Sequence, residues 1–371
     1  MALRFYSKHV YLLFSLALVF YQGQTASTEG IFLGAAADLQ AGRYAEAERG
    51  FSEVLRREPN NLGALGNLGV LYGRQNRAHK AVDTYQRALR LAPQEPGLLL
   101  NLGLAYLKLD QYAEAKPLFA QLAKSPSQRQ RQAQELLAIC QLQADETALA
   151  VAGLEQLSQG SDVSPGVYHF LALAYVKQKE LPRAQAVLAK LFATLPTAQA
   201  HYLEGRVWYD SAMFERALES FQKAAAADPA LVGLALETGK TFISLRNTAA
   251  ALDELRQAGD SVEAHYFLGA LLVQEGQYAE GAALLRRVKE ARPDLWGTHY
   301  YLGKAELAMG HAPAALPLLE RAAARAPSEA AVQYQLGRAL QALGRKTEAQ
   351  AAFARVAKLK AAGHTETILM K

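Results

Sequence analysis

The sequence predicts an all-α fold, a solenoid built from about ten copies of one helix–turn–helix repeat. Three observations predict it. A small residue, called here the reference residue, recurs at steps of 34, 34, 35, 34, 33, 34, 30, 34 and 34 residues: Ala35, Gly69, Gly103, Ala138, Ala172, Gly205, Gly239, Gly269, Gly303 and Gly337. A second small residue follows each one twelve positions later: Ala47, Ala81, Ala115, Ala150, Ala184, Ala217, Ala251, Gly281, Ala315 and Ala349. Proline closes many repeats: Pro59, Pro93, Pro196, Pro229, Pro293 and Pro327.

Each repeat contains two stretches with helical spacing. In the second repeat, Leu68, Leu71 and Tyr72 lie at i, i+3 and i+4, which is one face of a helix. A second apolar stripe follows the segment GRQNR: Ala81, Tyr85, Ala88 and Leu89. The two columns of recurring small residues allow the paired helices of a repeat to approach closely. Proline ends the second helix because it lacks an N–H and clashes with the preceding turn.

This pattern resembles the tetratricopeptide repeat, W-x2-L-G-x2-Y…A-x3-F…P. The second repeat matches at Leu65, Leu68, Gly69, Tyr72, Ala81, Tyr85 and Pro93. The sixth repeat matches at Gly205, Trp208, Ala217, Phe221 and Pro229. The resemblance covers about residues 27–360. It implies a right-handed superhelical solenoid whose first helices line a concave surface that binds peptide segments or partner helices.

Two repeats depart from the pattern. The fourth, around ELLAICQLQADETALA, has no closing proline in register. The seventh is four residues short, which is close to one helical turn and keeps the apolar face in phase. We expect residues 27–360 to form the solenoid, with these two repeats degenerate, and residues 361–371 to form a C-terminal tail.

The N-terminus has the order of a secretory signal peptide. A short basic segment, MALRFYSKH, precedes the uncharged run VYLLFSLALVF and then the small and polar residues YQGQTAS. The apolar run is shorter than the ~20 residues of a spanning helix. We expect removal of residues 1–26, with Ala26 or Ser27 as the last residue, and export to the periplasm or the extracellular space. The alternative is an uncleaved segment that tethers the protein to the membrane.

Composition excludes several classes of function. Without Arg4 and Lys8 of the first 26 residues, 38 basic residues face 35 acidic ones, and this balance of +3 argues against a nucleic-acid binder. The single cysteine, Cys140, excludes an intramolecular disulfide and any CxxC motif. GxSxG, HExxH, GxxxxGK and GxGxxG motifs are absent, and the repeats use nearly the whole chain. The sequence therefore predicts neither an enzyme nor a cofactor.

Some residues could suggest a metal site or a reactive group. His201, His265 and His299 occupy the slot in which the family pattern has Trp, so packing is favoured over metal binding. Cys140 lies beside Ala138 and Ile139 and is interpreted as a small buried hydrophobe. The aromatic residues of the family's Tyr slot are interpreted as core: Tyr72, Tyr106, Tyr175 and Trp208.

By the same resemblance, two positions of each first helix face the groove: three before the reference residue and one after it. In the first five repeats these sites are mostly apolar, with Glu135 the one acid and no Lys or Arg. The C-terminal sites are rich in tyrosine and cations, and the candidate binding residues are Tyr202, Arg206, Lys240, Tyr300, Lys304, Tyr334 and Arg338. Tyr offers contact area at low entropic cost, and Arg and Lys bind carboxylates. The alternative is that these residues are solvated or pack between repeats.

These observations favour an exported, non-enzymatic scaffold that binds protein partners, for example in assembly of a cell-envelope complex. The alternative ligand is an acidic polysaccharide, since tyrosine and cations also suit sugars. Membrane contact is expected only through an uncleaved signal segment.

Overall fold

The structure, a computed structural model, describes residues 28–124, 129–160 and 162–362. The predicted signal peptide lies outside these residues and stays a prediction. Within them there is no strand, and the all-α repeat fold is confirmed. The helices are α1 (Thr28–Gln40), α2 (Tyr44–Arg57), α3 (Leu62–Arg74), α4 (Ala78–Leu91), α5 (Pro96–Lys108), α6 (Tyr112–Lys124), α7 (Gln130–Gln143), α8 (Thr147–Ser158), α9 (Pro165–Lys177), α10 (Leu181–Thr194), α11 (Thr197–Asp210), α12 (Phe214–Ala227), α13 (Leu234–Ser244), α14 (Thr248–Gln257), α15 (Val262–Gln274), α16 (Tyr278–Ala291), α17 (Trp296–Ala308), α18 (Ala312–Arg325), α19 (Ala330–Ala342) and α20 (Lys346–Ala361).

The helices fall into two compact units. The N-terminal unit, Met1–Pro196, contains α1 to α10, and the C-terminal unit, Thr197–Lys371, contains α11 to α20. In both units the odd-numbered helix is the first helix of a repeat, and it packs on the even-numbered second helix that follows it.

The two columns of small residues mark the contact between the helices of a repeat. A Cβ added to Gly205 would lie 2.6 Å from the ring of Phe221, and one added to Gly303 would lie 2.7 Å from Cγ of Leu319. Ala81 and Ala217 of the second column have no exposed surface. A larger side chain in either column would therefore force the paired helices apart.

The turn within each repeat has one backbone form. The residue seven positions after the reference residue has a positive φ in every repeat: Gly42, Asn76, Asp110, Asp145, Lys179, Ala212, Arg246, Gly276, Gly310 and Gly344. The N–H of the next residue donates to a carbonyl five positions back, as from Met213 to Trp208 at 2.8 Å. This is the Schellman motif, which satisfies carbonyls at the end of a helix.

The shortness of the seventh repeat is visible in its second helix. Helix α14 has 10 residues, whereas α12 and α16 have 14 each. Only Ala251 and Leu255 of α14 are buried. The loss of about one turn thus leaves this helix with a small packed face.

Candidate functional site

The candidate site is a face of the first helices in the C-terminal unit. The two positions assigned to ligand binding are four residues apart, so they share one face of each helix. Neighbouring first helices also contact each other along this unit, as α11 contacts α13, α15 contacts α17 and α17 contacts α19. We call this surface the inner face.

The inner face contains a group of buried and partly buried ionisable residues between α11 and α15, called here the buried charge cluster: Arg206, Glu237 and Lys240 are buried, and Asp210 and Glu263 are partly buried. Lys240 is 3% exposed, and its Nζ lies 2.7 Å from Oε2 of Glu237. The same Nζ lies 3.7 Å from Oε1 of Glu263, which extends from the next first helix. The ammonium group also lies over the rings of Tyr209 and Phe267, at 5.2 and 5.8 Å from their centroids.

Arg206 belongs to the same cluster and is 6% exposed. Burial opposes its charge, but the carboxylate of Glu237 and the nearby Tyr202 keep the pKa of Arg206 above its ordinary value. Arg206 also hydrogen-bonds the hydroxyl of Tyr202. Burial raises the pKa of Tyr202 to about 12, so this hydroxyl is neutral at physiological pH. The guanidinium therefore hydrogen-bonds a phenol and is stabilised electrostatically by a carboxylate.

Asp210 is the member of the buried charge cluster whose charged form is disfavoured by burial. Burial raises the pKa of Asp210 above its ordinary value, although Arg206 partly offsets the effect. Its Oδ2 is buried and has no hydrogen-bond partner in the described part of the chain. A buried carboxylate oxygen without a donor destabilises the charged form, since desolvation is not compensated.

The other end of the inner face is open. Lys304 of α17 is half-buried, and Arg338 of α19 is exposed. Tyr334 is 47% exposed and packs on Phe353 with a centroid separation of 5.9 Å. Tyr300, in contrast, is buried against Tyr301. The open part of the inner face is therefore made by Lys304, Tyr334 and Arg338.

Two of the four candidate cations are buried. Arg206 and Lys240 lie on the expected helices, but neither is open to solvent, and Lys240 is paired with a carboxylate. Sequence reasoning missed the acids that surround them. Glu237 stands three residues before Lys240, the spacing of an intrahelical ion pair, and that signal was available. Asp210 and Glu263 carried no such local signal.

In the N-terminal unit, the two equivalent positions of the first helices are mostly apolar and include one acid. Leu100, Ile139 and Leu173 are buried at the two inner positions. Glu135 is also buried and accepts hydrogen bonds from the Ser164 hydroxyl at 3.1 and 3.0 Å. The acid therefore joins one repeat to the next.

The histidines contact separate partners. His201 Nδ1 lies 3.1 Å from Glu204, and His265 Nε2 lies 2.8 Å from Asp260. His299 is buried, with Nε2 at 2.7 Å from the carbonyl oxygen of Pro293. Among residues 28–124, 129–160 and 162–362, no group of three or more His, Cys, Asp or Glu has an arrangement that could hold a metal ion.

Burial also characterises Cys140 and the Tyr slot. Cys140 has no exposed surface, and burial raises the pKa of its thiol to about 12. Tyr72, Tyr175 and Trp208 are buried as expected, whereas Tyr106 is only partly buried and its hydroxyl accepts from Gln86.

Paired helices whose first members build an inner face define an all-α helical-repeat protein of the kind that binds other proteins. Models of the tetratricopeptide repeat match residues 32–96, 100–162, 171–231 and 236–295, and a further one matches residues 306–362. The chain belongs to the tetratricopeptide repeat family.

Similar proteins are named as assembly proteins. Photosystem I assembly protein Ycf3 of Synechococcus sp. (strain CC9605) is 36% identical over 76 residues, which cover 20% of this chain and 44% of that protein. Lipopolysaccharide assembly protein B of Escherichia coli (strain K12) is 28% identical over 254 residues, which cover 65% of this chain and 61% of that protein. A solved structure, a tetratricopeptide repeat protein from Parabacteroides merdae ATCC 43184, is 14% identical with a TM-score of 0.49, over 76% of this chain and 99% of that chain.

Proposed function

We propose that the protein is a non-enzymatic scaffold that binds a segment of a partner protein on the inner face of its C-terminal unit. The observation that carries the proposal is the open end of that face. Tyr334 and Arg338 are exposed there and Lys304 is half-buried on the neighbouring first helix, whereas most of the inner face is packed.

The chemistry of this open end favours an acidic peptide segment or an acidic helix. The open end presents two cations together with a tyrosine ring, which offers flat apolar area and a hydroxyl group. Exposed ion pairs contribute about 0–1 kcal/mol each, so Tyr334 must supply much of the binding free energy. In this proposal Arg206 and Lys240 do not contact the partner. They stabilise the packing of the first helices through the buried charge cluster.

A crosslinking experiment tests this binding. A photoreactive phenylalanine derivative at position 334 should capture a partner in cells that make the protein, and mass spectrometry identifies it. The double variant Lys304→Glu and Arg338→Glu should lose the captured species. The charge-matched control, Arg355→Glu with Lys358→Glu on α20, should retain it. Equal capture by both variants would show that the open end is a solvated surface.

The same experiment decides between the two ligand classes. An acidic polysaccharide is the alternative ligand. The similarity to a protein named as a lipopolysaccharide assembly protein is a specific reason to test it. A captured species that resists protease and is removed by a glycan-degrading treatment would support the polysaccharide instead of a protein.

We also propose that the protein is exported and assists assembly of a complex in the cell envelope. The basic, apolar and small segments of residues 1–26 support export. In the described residues, none of the helices is both long and apolar enough to span a bilayer. N-terminal sequencing of the protein from fractionated cells should find the chain beginning near residue 27, and a cytoplasmic chain that retains residues 1–26 would refute export.

A further inference from the structure

A second candidate site lies away from the inner face, between α16, α17 and α18. A cleft of about 480 Å³ opens there, which is within the range of ligand pockets. Its apolar walls are formed by Leu302 and Leu318 together with Pro293 and Pro317. Two of the three helices are second helices, and none of the candidate residues of the inner face lines the cleft.

The charged residues of the cleft are mostly basic: Arg286, Lys289 and Arg321 accompany one acid, Glu306. Arg286 Nη2 lies 2.6 Å from Oε1 of Glu306, and His311 Nδ1 lies 2.9 Å from Oε2 of the same carboxylate. Burial alone would raise the pKa of Glu306, but hydrogen bonds with His311 and Arg286 hold it below its ordinary value. Glu306 is thus ionised and already occupied.

Lys289 and Arg321 differ from Arg286, because the described chain provides no such ion pair for them. Lys289 is half-buried and Arg321 is exposed, and in the described chain neither has a carboxylate within 4.0 Å. Both cations act on the same buried imidazole, because together with burial they lower the pKa of His299. The cleft therefore carries two positive charges that have no carboxylate partner among the described residues and that both act on His299.

The imidazole of His299, which lines the cleft, has a defined tautomer. A carbonyl oxygen only accepts hydrogen bonds, so Nε2 of His299 carries the proton that is donated to Pro293. The other nitrogen, Nδ1, is buried and has no hydrogen-bond partner in the described residues. A negative charge bound at Lys289 and Arg321 would favour protonation of this nitrogen, since it would offset both cations.

We propose that this cleft binds a short acidic peptide segment of a partner protein, with carboxylates at Lys289 and Arg321 and an apolar side chain between the proline and leucine walls. Charge complementarity selects the acids, because two cations of the cleft have no carboxylate partner in the part of the chain that the structure describes. The apolar walls favour a peptide over a polysaccharide, which has no aliphatic side chain to bury. The site is independent of the inner face and gives the scaffold a second docking point.

The test uses the full chain and a synthetic peptide, acetyl-Asp-Glu-Leu-Glu-Asp-Leu-amide. Titration calorimetry should detect binding that weakens as salt is raised, because exposed charges are screened. Lys289→Gln with Arg321→Gln should weaken binding at least about fivefold, given the ordinary strength of exposed ion pairs. The charge-matched control Arg256→Gln with Arg355→Gln should bind as the parent does. Lys304→Glu with Arg338→Glu should also bind normally, which separates this site from the inner face.

Nuclear magnetic resonance gives a second readout at the cleft. The peptide should raise the pKa of His299 and leave the imidazole chemical shifts of His79 unchanged. The signal is assigned with His299→Gln, a mild change since Gln333 occupies the same slot in the last repeat and donates to the carbonyl of Pro327. No binding by the parent, equal binding by the cleft variant, equal binding of a peptide with Asn and Gln for its acids, or preference for a sulfated polysaccharide would each overturn the proposal.

Discussion

Lys240 and Glu237 form an ion pair inside the C-terminal unit, with Nζ and Oε2 2.7 Å apart and both side chains less than 10% exposed. A pair removed from water in this way is stabilising only while both partners remain. Loss of one partner leaves a buried charge that water cannot reach, and such losses destabilise proteins by about 3–5 kcal/mol.

We therefore expect Lys240→Met to lower the free energy of unfolding of the C-terminal unit by about 3–5 kcal/mol. Adding Glu237→Gln should recover more than half of that loss, since the excess negative charge is removed. Arg338→Met, at the equivalent but exposed position of α19, should change stability by less than about 0.5 kcal/mol. Urea unfolding followed by tryptophan fluorescence measures this, because Trp208 and Trp296 both lie in the C-terminal unit. A loss below 1 kcal/mol for Lys240→Met would contradict a structural role of the pair.

The raised pKa of Asp210 predicts a pH dependence with a definite sign. In the unfolded chain this carboxyl loses its proton near 3.8, whereas in the folded chain it does so at a higher pH. Between these values the folded state binds more protons, so the parent loses stability as pH rises through this window. Asp210→Asn cannot titrate, so its stability relative to that of the parent should increase as pH is raised above about 4. A pH-independent difference in stability between Asp210→Asn and the parent would argue against the burial effect.

The left-handed turn residue predicts a stabilising substitution. Ala212 has a φ of 57°, a region that is unfavourable by about 1–2 kcal/mol for a residue with a Cβ. Ala212→Gly should therefore raise the unfolding free energy by about 1 kcal/mol despite the greater entropy of the unfolded chain. Ala283→Gly, in the exposed interior of α16, should lower it by about 0.5–1 kcal/mol. Urea midpoints that move in the same direction for both variants would show that the turn is not strained.

The seventh repeat should open before the second. Helix α14 buries two residues, whereas α4 buries six, including Tyr85. Since repeat stabilities are nearly additive, hydrogen exchange should be faster at residues 249–261 than at residues 68–91. The measurement is amide exchange resolved by mass spectrometry. Equal protection of the two segments would mean that the missing turn is compensated by its neighbours.

Cys140 provides a probe of the N-terminal unit. Its thiol has no exposed surface, and burial raises its pKa to about 12, so almost no thiolate exists at pH 8. Labelling with a thiol reagent should be at least about a hundredfold slower in the folded protein than in urea, because it requires local opening. The cysteine is the only one in the chain, so absorbance of the released chromophore is sufficient. Rapid labelling without urea would place Cys140 at the surface.

The sequence was sufficient for the repeated architecture because the determining contacts recur. Gly205 and Phe221 are 16 residues apart in one repeat, and the equivalent pair recurs as Gly303 and Leu319. Periodicity therefore reveals helix pairing without knowledge of the three-dimensional structure. The packing roles of Cys140 and Trp208 follow from the same register.

The candidate site was harder to predict because its electrostatics come from residues that do not repeat. Lys240 and Lys304 occupy the same column, yet the first is enclosed by Glu237 and Glu263 and the second is half-buried. Reading one column at a time cannot detect an acid on the neighbouring helix. The cleft beside α17 was missed for a related reason, since its cations come from two successive repeats and different positions in each.

The Schellman turns have a consequence for how this chain can diverge. Their hydrogen bonds join main-chain atoms, so closure of the turn is largely indifferent to which side chain occupies it. Glycine, asparagine, aspartate, lysine, arginine and alanine all occur at the one position with positive φ. These turns, called here the tips of the repeats, can therefore accumulate substitutions that each lower the free energy of unfolding by no more than about 1–2 kcal/mol. Evolution can use these tips as a mutationally tolerant surface, on which new recognition features arise while the helical scaffold is retained.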